Sequence, residues 1–201
     1  MSPTSNKDVK KELGEQVDYI LKGDKCNIGI ESTIIKINCD LKKIIIQRKG
    51  MIDKHILEKN IGYKIQYSKN LKKKYVLKVP GNSYLHYCSK AIIIIVKKPQ
   101  KLIKALLKIR LKIGLISFLP FQEKFNKNLI HINISQSEDL YAKNIYKNLR
   151  FFDKKEVDLI IMESIPDNRK WLGIIDRIKK ACLKKKEMNN YKNLLSLFFK
   201  K

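Results

Sequence analysis

The stretch Gly29-Ile30-Glu31-Ser32-Thr33-Ile34-Ile35 places a glycine, an acidic residue and two adjacent hydroxyls directly before a β-branched strand. Hydroxyls at the start of a strand can donate hydrogen bonds to a carboxylate or a phosphate, and the glycine lets a ligand approach the backbone closely. The alternative is a turn glycine followed by an edge strand, which is the commoner origin of such a heptapeptide. Taken alone, the stretch therefore leaves a binding role and a structural role open.

On both sides of this stretch the sequence pattern predicts sheet. Strands are expected at residues 17–21, 32–37 and 43–47, with a turn at Gly23-Asp24 between the first two. Short helices are expected at residues 9–13, capped by Ser5 or Asn6, and at residues 52–59, which have helical spacing of isoleucine and leucine. Residues 60–79 give no clear pattern.

From residue 91 onward, apolar strands alternate with helices. The expected strands are residues 91–96, 112–118, 129–134 and 157–162. The expected helices are residues 100–110, 137–149 with Ser135 or Ser137 as cap, and 170–183. Strands that are apolar throughout and separated by helices are typical of a parallel sheet covered on both faces, so residues 91–183 are predicted to form a small doubly wound α/β domain.

The charge of the chain invites a nucleic-acid interpretation, which the composition weakens. The formal net charge is +25, but 39 of the 44 basic residues are lysines. Arginine supplies the fork geometry that phosphate and base recognition prefers. We therefore expect weak, salt-sensitive association with polyanions and no specific reader of base sequence.

Several classes of protein are not indicated. No apolar run approaches the roughly 18 residues of a membrane span, and the first residues lack the pattern of a signal peptide, so we expect a cytoplasmic protein. The four cysteines form no closely spaced pair, which favours reduced thiols. A mixed metal site from Cys26, Cys39, His55 and His86 would have no two ligands at zinc spacing, and we expect none.

Several short motifs occur in one particular order along the chain. They are Ser2-Pro3-Thr4 with Asp8-Val9, Val17-Asp18-Tyr19-Ile20, Gly29-x-Glu31-Ser32-Thr33, Arg48-x-Gly50, Pro80-Gly81, His86-Tyr87, and Leu172-Gly173-x-Ile175-Asp176-Arg177-Ile178. This ordered set resembles the threonylcarbamoyl-AMP synthase family, in its long form with a YrdC-like catalytic domain, a linker and a Rossmann-like domain. The resemblance covers residues 2–183.

The resemblance implies a division of the chain and an activity. Residues 1–78 would be the carboxy-terminal part of the YrdC-like α/β domain, residues 79–90 the linker, residues 91–183 the Rossmann-like parallel-sheet domain, and residues 184–201 a basic tail. The family converts L-threonine, bicarbonate and ATP, with Mg²⁺ accompanying the nucleotide, into threonylcarbamoyl-AMP and pyrophosphate for the modification of tRNA. Such a reaction depends mainly on positioning an anionic carbamate against the α-phosphate and on neutralising charge.

The resemblance also implies roles for individual residues. Ser2, Arg48, His86 and Tyr87 would bind ATP, with His86 or Tyr87 closing over the site from the linker, and Ser32 would bind L-threonine. No residue is assigned a catalytic or a metal-binding role. The structural alternatives are a terminal serine, a hydroxyl at a strand edge, a solvated arginine and packed linker side chains.

The chain also departs from the family pattern. A lysine and arginine pair and a Ser-Ala-Asn loop precede the Ser-Pro-Thr motif in the family, whereas here Met1 stands directly before Ser2. We therefore expect a truncated or split form that is inactive alone, with a separate amino-terminal half as one partner. The alternative from another class is a non-catalytic module that binds tRNA, double-stranded RNA or partner proteins.

Overall fold

A computed structural model describes residues 1–39, 42–68, 79–80, 87–108, 111–121 and 127–182. In chain order they form α1 (Asn6–Leu13), β1 (Ile34–Asn38), β2 (Lys43–Arg48), α2 (Lys54–Ile61), β3 (Ile65–Tyr67), β4 (Ile92–Val96), α3 (Pro99–Leu106), β5 (Ile113–Ser117), β6 (Leu129–Asn133), α4 (Glu138–Lys154), β7 (Leu159–Glu163) and α5 (Leu172–Ala181). Single 3₁₀ turns follow α1 and precede α5. His86, Arg110 and the predicted basic tail lie outside the described residues.

The carboxy-terminal half contains the parallel sheet that the apolar strands predict. Its order is β4-β7-β5-β6, and all three neighbouring pairs are parallel. The register aligns Ile93 with Ile160 and Gly114 with Ile160, so β7 is a central strand hydrogen-bonded on both sides. The α/β fold class is confirmed.

Each face of this sheet is covered by helices, because successive strand side chains point to opposite faces. On one face α3 packs against the sheet through Ile103 and Leu106. On the other face α4 and α5 supply a larger apolar cluster that includes Tyr141, Phe152 and Ile174. The arrangement is the three-layer, doubly wound architecture expected for residues 91–183.

A second, smaller sheet lies in the amino-terminal half and has the order β1-β2-β3. β1 and β2 are antiparallel with a bulge between Ile34 and Ile35, whereas β2 and β3 are parallel and are connected by α2. Asp53 caps α2 by accepting the Ile56 amide at 2.9 Å, and Gly62 ends it in the left-handed region. β3 lies within residues 60–79, where no element was predicted.

The strand predicted at residues 17–21 is wrong. Among the described residues this segment pairs with no other strand, and Tyr19 and Leu21 are 80% and 81% exposed. A β-branched, aromatic pattern indicates a backbone suited to a sheet, but only a neighbouring strand can satisfy its hydrogen-bonding groups.

The helix predictions are confirmed with modest changes of boundary. Ser5 caps α1 and Ser137 caps α4, each accepting the amide three residues later. α4 runs five residues beyond its predicted end, and α3 ends four residues early at Leu106. None of the helices among the described residues is long and apolar enough to cross a membrane.

The segment before β1 packs directly on the carboxy-terminal helices. A Cβ atom on Gly29 would lie 2.3 Å from the carbonyl oxygen of Ala142, which belongs to α4. A Cβ on Gly173, near the start of α5, would lie 2.5 Å from the carbonyl oxygen of Gly50. At these two glycines one stretch of backbone packs directly against another, because no side chain separates them. Residues 29–33 therefore lie against α4 and α5.

We expect Gly29→Ala to lower the free energy of unfolding by about 2 kcal/mol, because the added methyl group overlaps a helix backbone that cannot move aside. Gly23→Ala is the matched control: no atom lies within 4 Å of its Cβ position, so the change should stay within about 0.5 kcal/mol. Urea denaturation followed by circular dichroism measures both. Equal stability of the two variants would contradict the close packing at Gly29.

Candidate functional site

A buried ion pair joins the segment before β1 to the last helix. The Arg177 side chain has no exposed surface, and its Nε donates to Glu31 Oε2 at 2.6 Å. Its Nη2 donates to the backbone carbonyl of Glu31 at 3.3 Å, and its Nη1 donates to Asp176 at 2.7 Å. One guanidinium therefore holds both the side chain and the backbone of Glu31.

Two tyrosines enclose this pair. Tyr87 is 1% exposed, and the guanidinium carbon of Arg177 lies 5.4 Å from the centre of its ring. Tyr146 of α4 stacks on Tyr87 with ring centres 5.8 Å apart, and its hydroxyl donates to Glu31 Oε2 at 3.4 Å. A cation over an aromatic face is attracted to it, so the rings stabilise the buried charge as well as exclude water from it.

The first residues of the chain reach the same carboxylate. The hydroxyl of Ser2 donates to Glu31 Oε1. Arg150 of α4 donates through Nη2 to the carbonyl oxygens of Met1 at 2.8 Å and Ser2 at 2.7 Å. Asp8 and Glu12 of α1 lie 3.7 and 3.4 Å from the same guanidinium. A second arginine of the carboxy-terminal half thus positions the Ser2 backbone.

Ser32 and Arg48 form a second part of the cluster. Arg48 donates through Nε to the Ser32 carbonyl at 3.1 Å and through Nη2 to the Ser32 hydroxyl at 3.3 Å. Its Nη1 donates to the carbonyl of Pro80 at 2.8 Å, so the predicted linker is fastened to β2. Arg48 is 8% exposed, whereas Ser32 is exposed.

The structure therefore gathers four of the five residues proposed from the sequence. Ser2 and Tyr87 surround the Glu31 carboxylate. Ser32, the residue after Glu31, contacts Arg48. His86 lies outside the described residues. The binding roles given to these residues stay predictions.

The sequence reasoning overlooked Arg177, Tyr146 and Arg150 as members of the cluster. The sequence does indicate that Arg177 is unusual, because this arginine lies on the apolar side of a helix, between Ile174 and Ile178. A charged residue at such a position is rarely buried without a partner. The sequence offers no comparable indication that the partner is 146 residues away.

The surroundings of Glu31 determine its pKa. Burial raises the pKa of Glu31, but hydrogen bonds from Ser2 and Arg177 and the charge of Arg177 outweigh burial and lower it below its ordinary value of 4.5. Burial and the nearby Glu31 charge raise the pKa of Tyr87 to about 12, so this phenol stays protonated at neutral pH. The cluster consequently holds the fixed Glu31 carboxylate, the guanidinium groups of Arg48, Arg150 and Arg177, and neutral hydroxyls.

This arrangement is suited to binding and positioning. Glu31 is enclosed, with Ser2, Tyr146 and Arg177 donating to its oxygens, so it has little capacity to act as a base. Three of the five N–H groups of Arg48 are used by Ser32 and Pro80, and the other two have no partner among the described residues, so they can serve an anion. The exposed Ser32 hydroxyl beside a guanidinium can hold a carboxylate or a hydroxyl of a small substrate.

Two family models match the chain. The one described as "Threonylcarbamoyl-AMP synthase, C-terminal domain" matches residues 40–182, and the one described as "Telomere recombination" matches residues 1–50.

Curated proteins with similar sequences include threonylcarbamoyl-AMP synthases from three organisms. The identity is 28% over 196 residues for Pyrococcus abyssi, 30% over 187 residues for Bacillus subtilis and 25% over 201 residues for Schizosaccharomyces pombe. Each alignment covers 90% of this chain, and 54%, 53% and 49% of the three relatives. The chain therefore spans about half the length of the curated relatives it matches.

Solved structures give the same result. The crystal structure of P. abyssi Sua5 complexed with L-threonine is similar, with a TM-score of 0.71 at 26% identity, covering 90% of this chain and 54% of that one. A doubly substituted variant of P. abyssi Sua5 is similar with a TM-score of 0.73 at 25% identity, covering 90% and 53%.

We expect Arg177→Met to lower the free energy of unfolding by about 3 kcal/mol, because it removes the partner of a largely buried carboxylate. In the double variant with Glu31→Gln the cost should be smaller than the sum of the two single changes. Arg169→Met is the control, since Arg169 is 58% exposed and lies 3.8 Å from Asp53; it should change stability by less than about 1 kcal/mol. Urea titration of the wild type and the four variants measures this, and strict additivity would show that the pair is not coupled.

The stability of the folded chain is expected to depend on pH through Glu31. The pKa of Glu31 is lower in the folded chain than its ordinary value of 4.5, so the stabilisation it provides is complete above that value and is lost as the pH falls through the folded pKa. From about pH 6 to about pH 3, the wild type should lose more stability than Glu31→Gln. Asp8 also has a lowered pKa but is common to both proteins, so their difference isolates Glu31. Parallel pH dependence of the two urea midpoints would exclude the carboxylate as the titrating group.

Proposed function

This chain belongs to the threonylcarbamoyl-AMP synthase family, and on that premise we propose that it carries the threonine-binding side of the site that makes threonylcarbamoyl-AMP. The substrates would be L-threonine, bicarbonate and ATP, and the products threonylcarbamoyl-AMP and pyrophosphate. The contact between Ser32 and Arg48, on a segment held by Arg177, is the observation that carries the proposal.

Ser32 is the residue proposed to bind L-threonine. Its hydroxyl is exposed, its carbonyl is fixed by Arg48 Nε at 3.1 Å, and the peptide before it is fixed by Arg177 at 3.3 Å. A hydroxyl whose backbone is already immobilised loses little freedom on binding, which favours affinity for a small polar ligand. The similarity to a structure complexed with L-threonine supports this choice of substrate.

Arg48 is proposed to contact the nucleotide phosphates through its two remaining N–H groups. The guanidinium would neutralise part of the charge that develops on pyrophosphate as it leaves, while Ser32 holds the threonine. In this proposal the chain binds and orients the substrates, and the reaction gains mainly from their proximity. Ser2 and Tyr87, with His86 from the linker, would complete the nucleotide side.

Magnesium would enter with ATP, held by the phosphates of the nucleotide. Within the described ranges no group of three histidine, cysteine, aspartate or glutamate side chains could hold a metal ion. Glu31 is the carboxylate nearest to Ser32 in sequence, and its oxygens already accept from Ser2, Tyr146 and Arg177. The described residues therefore offer no protein site for magnesium.

The experiment is isothermal titration of L-threonine into the purified chain. Wild type should bind, and Ser32→Ala should bind about tenfold more weakly, which corresponds to the loss of one hydrogen bond of about 1.4 kcal/mol. Ser32 is exposed, and its carbonyl still accepts from Arg48 after the change, so the urea midpoint should not move.

Ser135→Ala is the matched control, because this exposed hydroxyl lies before α4 and accepts only the Ser137 amide, at 3.1 Å, among the described residues. Its affinity for threonine should equal that of wild type. No heat of binding from the wild type would contradict the proposal. If the chain instead bound RNA in a salt-dependent way without binding threonine, the non-catalytic alternative would be favoured.

A further inference from the structure

A cavity of about 180 Å³ lies at the carboxyl edge of the parallel sheet. Its walls come from the ends of β4 and β7, the loop after β7, and one side of α5. The residues of α5 that line it are Ile175, Ile178 and Lys179. Ile175 and Lys179 project from the side of the helix roughly opposite to Arg177, and Ile178 lies between the two sides. The cavity is thus separate from the Glu31 cluster.

The topology of the sheet explains why a cavity forms there. β4 and β7 are adjacent and parallel, but β4 leads into α3 on one face whereas β7 leads into α5 on the other. Where the connections of neighbouring parallel strands diverge to opposite faces, a crevice opens beyond their carboxyl ends, and this crevice is the usual ligand site of such sheets. The Ser164 amide donates to the Val96 carbonyl at 3.0 Å and closes the floor of this crevice.

The lining combines an apolar interior with carboxylates. Ile95, Met162 and Ile178 form apolar walls, and Glu163 and Asp167 supply two carboxylates. Glu163 is held in place because its Oε2 accepts the Phe118 amide at 2.8 Å. Asp167 is exposed and has no hydrogen-bond or ion-pair partner in the part of the chain that the structure describes.

The local charge is opposite to that of the whole chain. Two carboxylates and one cation, the exposed Lys179, line the cavity, although the chain carries a formal net charge of +25. Exposed charges are screened beyond about 8 Å at physiological salt, so a ligand in the cavity responds most strongly to the charges that line it. Among these, Glu163 and Asp167 outnumber Lys179. An anionic ligand such as a phosphate is therefore disfavoured.

We propose that this cavity binds a small aliphatic molecule that carries one ammonium group. The apolar body lies against Ile95, Met162 and Ile178, and the ammonium group pairs with the carboxylates of Glu163 and Asp167. A protein cavity of about 150 Å³ accommodates a benzene molecule, so this one suits a ligand of roughly six or seven non-hydrogen atoms. The inference rests on the parallel sheet alone and is independent of the proposed threonine site.

Methyl NMR of the full chain, labelled with ¹³C at its methionine methyl groups, tests the proposal directly. Met162 lines the cavity, whereas Met51 packs against the same apolar cluster without lining the cavity and serves as an internal reference. The probe is 3-methylbutylamine, compared with its neutral counterpart 3-methylbutan-1-ol and its anionic counterpart 3-methylbutanoate. The Met162 signal should shift with the amine at the lowest concentration and with the carboxylate at the highest.

Substitutions then identify the groups that select the ligand. Glu163→Gln keeps an oxygen acceptor for the Phe118 amide but removes the charge, and together with Asp167→Asn it should weaken amine binding about tenfold. Lys179→Gln removes a repulsive cation and should strengthen amine binding about threefold. Glu15→Gln, an exposed carboxylate near α1 that does not line the cavity, should leave it unchanged.

Removal of the carboxylates should weaken amine binding, whereas removal of Lys179 should strengthen it. A general loss of stability would not change the affinity in opposite directions, so the test does not depend on stability. An unmoved Met51 signal verifies that each variant is folded. A Met162 signal that does not respond to the amine would overturn the proposal. Equal affinity for amine and alcohol, or no difference between the double variant and Glu15→Gln, would overturn the assigned role of the carboxylates.

Discussion

The burial of the Arg177 guanidinium is the constraint on which much of this structure depends. A charge with no exposed surface must be paired and hydrogen-bonded, or it would destabilise the fold by several kcal/mol. Asp176 on the same helix satisfies one nitrogen of the guanidinium, and Glu31, from the amino-terminal half, satisfies the other two. This ion pair and the tyrosines around it therefore couple the two halves of the described chain, together with the contacts of Arg150 and the close packing at Gly29 and Gly173.

The same contact gives the carboxy-terminal half a structural role in the proposed function. Arg177 holds the carbonyl of Glu31, the next residue is Ser32, and Ser32 in turn accepts from Arg48. Gly29 permits this arrangement because its segment lies in backbone contact with α4. A Rossmann-like sheet thus serves as the rigid support of a hydroxyl-bearing segment, which is what substrate positioning requires.

Local patterns in the sequence indicated most of the elements and could not indicate their partners. The apolar strands and capped helices of residues 91–183 were predicted because burial on both faces of a sheet leaves continuous apolar runs. Residues 17–21 have an equally strand-like composition, yet they lie exposed because no described strand pairs with them. β3 was not predicted, although it does pair with a neighbouring strand. Its three residues are too few to show a pattern, and the strand depends on its register with β2.

Short-range periodicity was enough to predict the α/β class and the caps at Ser5 and Ser137, and the ordered motifs suggested the candidates Ser2, Ser32, Arg48, His86 and Tyr87. The fold alone shows that Glu31, Arg177 and Tyr146 surround one another, and that β4 and β7 diverge to leave a cavity. These features escape prediction because buried charges and crevices between strands are satisfied by groups far apart in the chain, and no local pattern specifies which distant groups will meet.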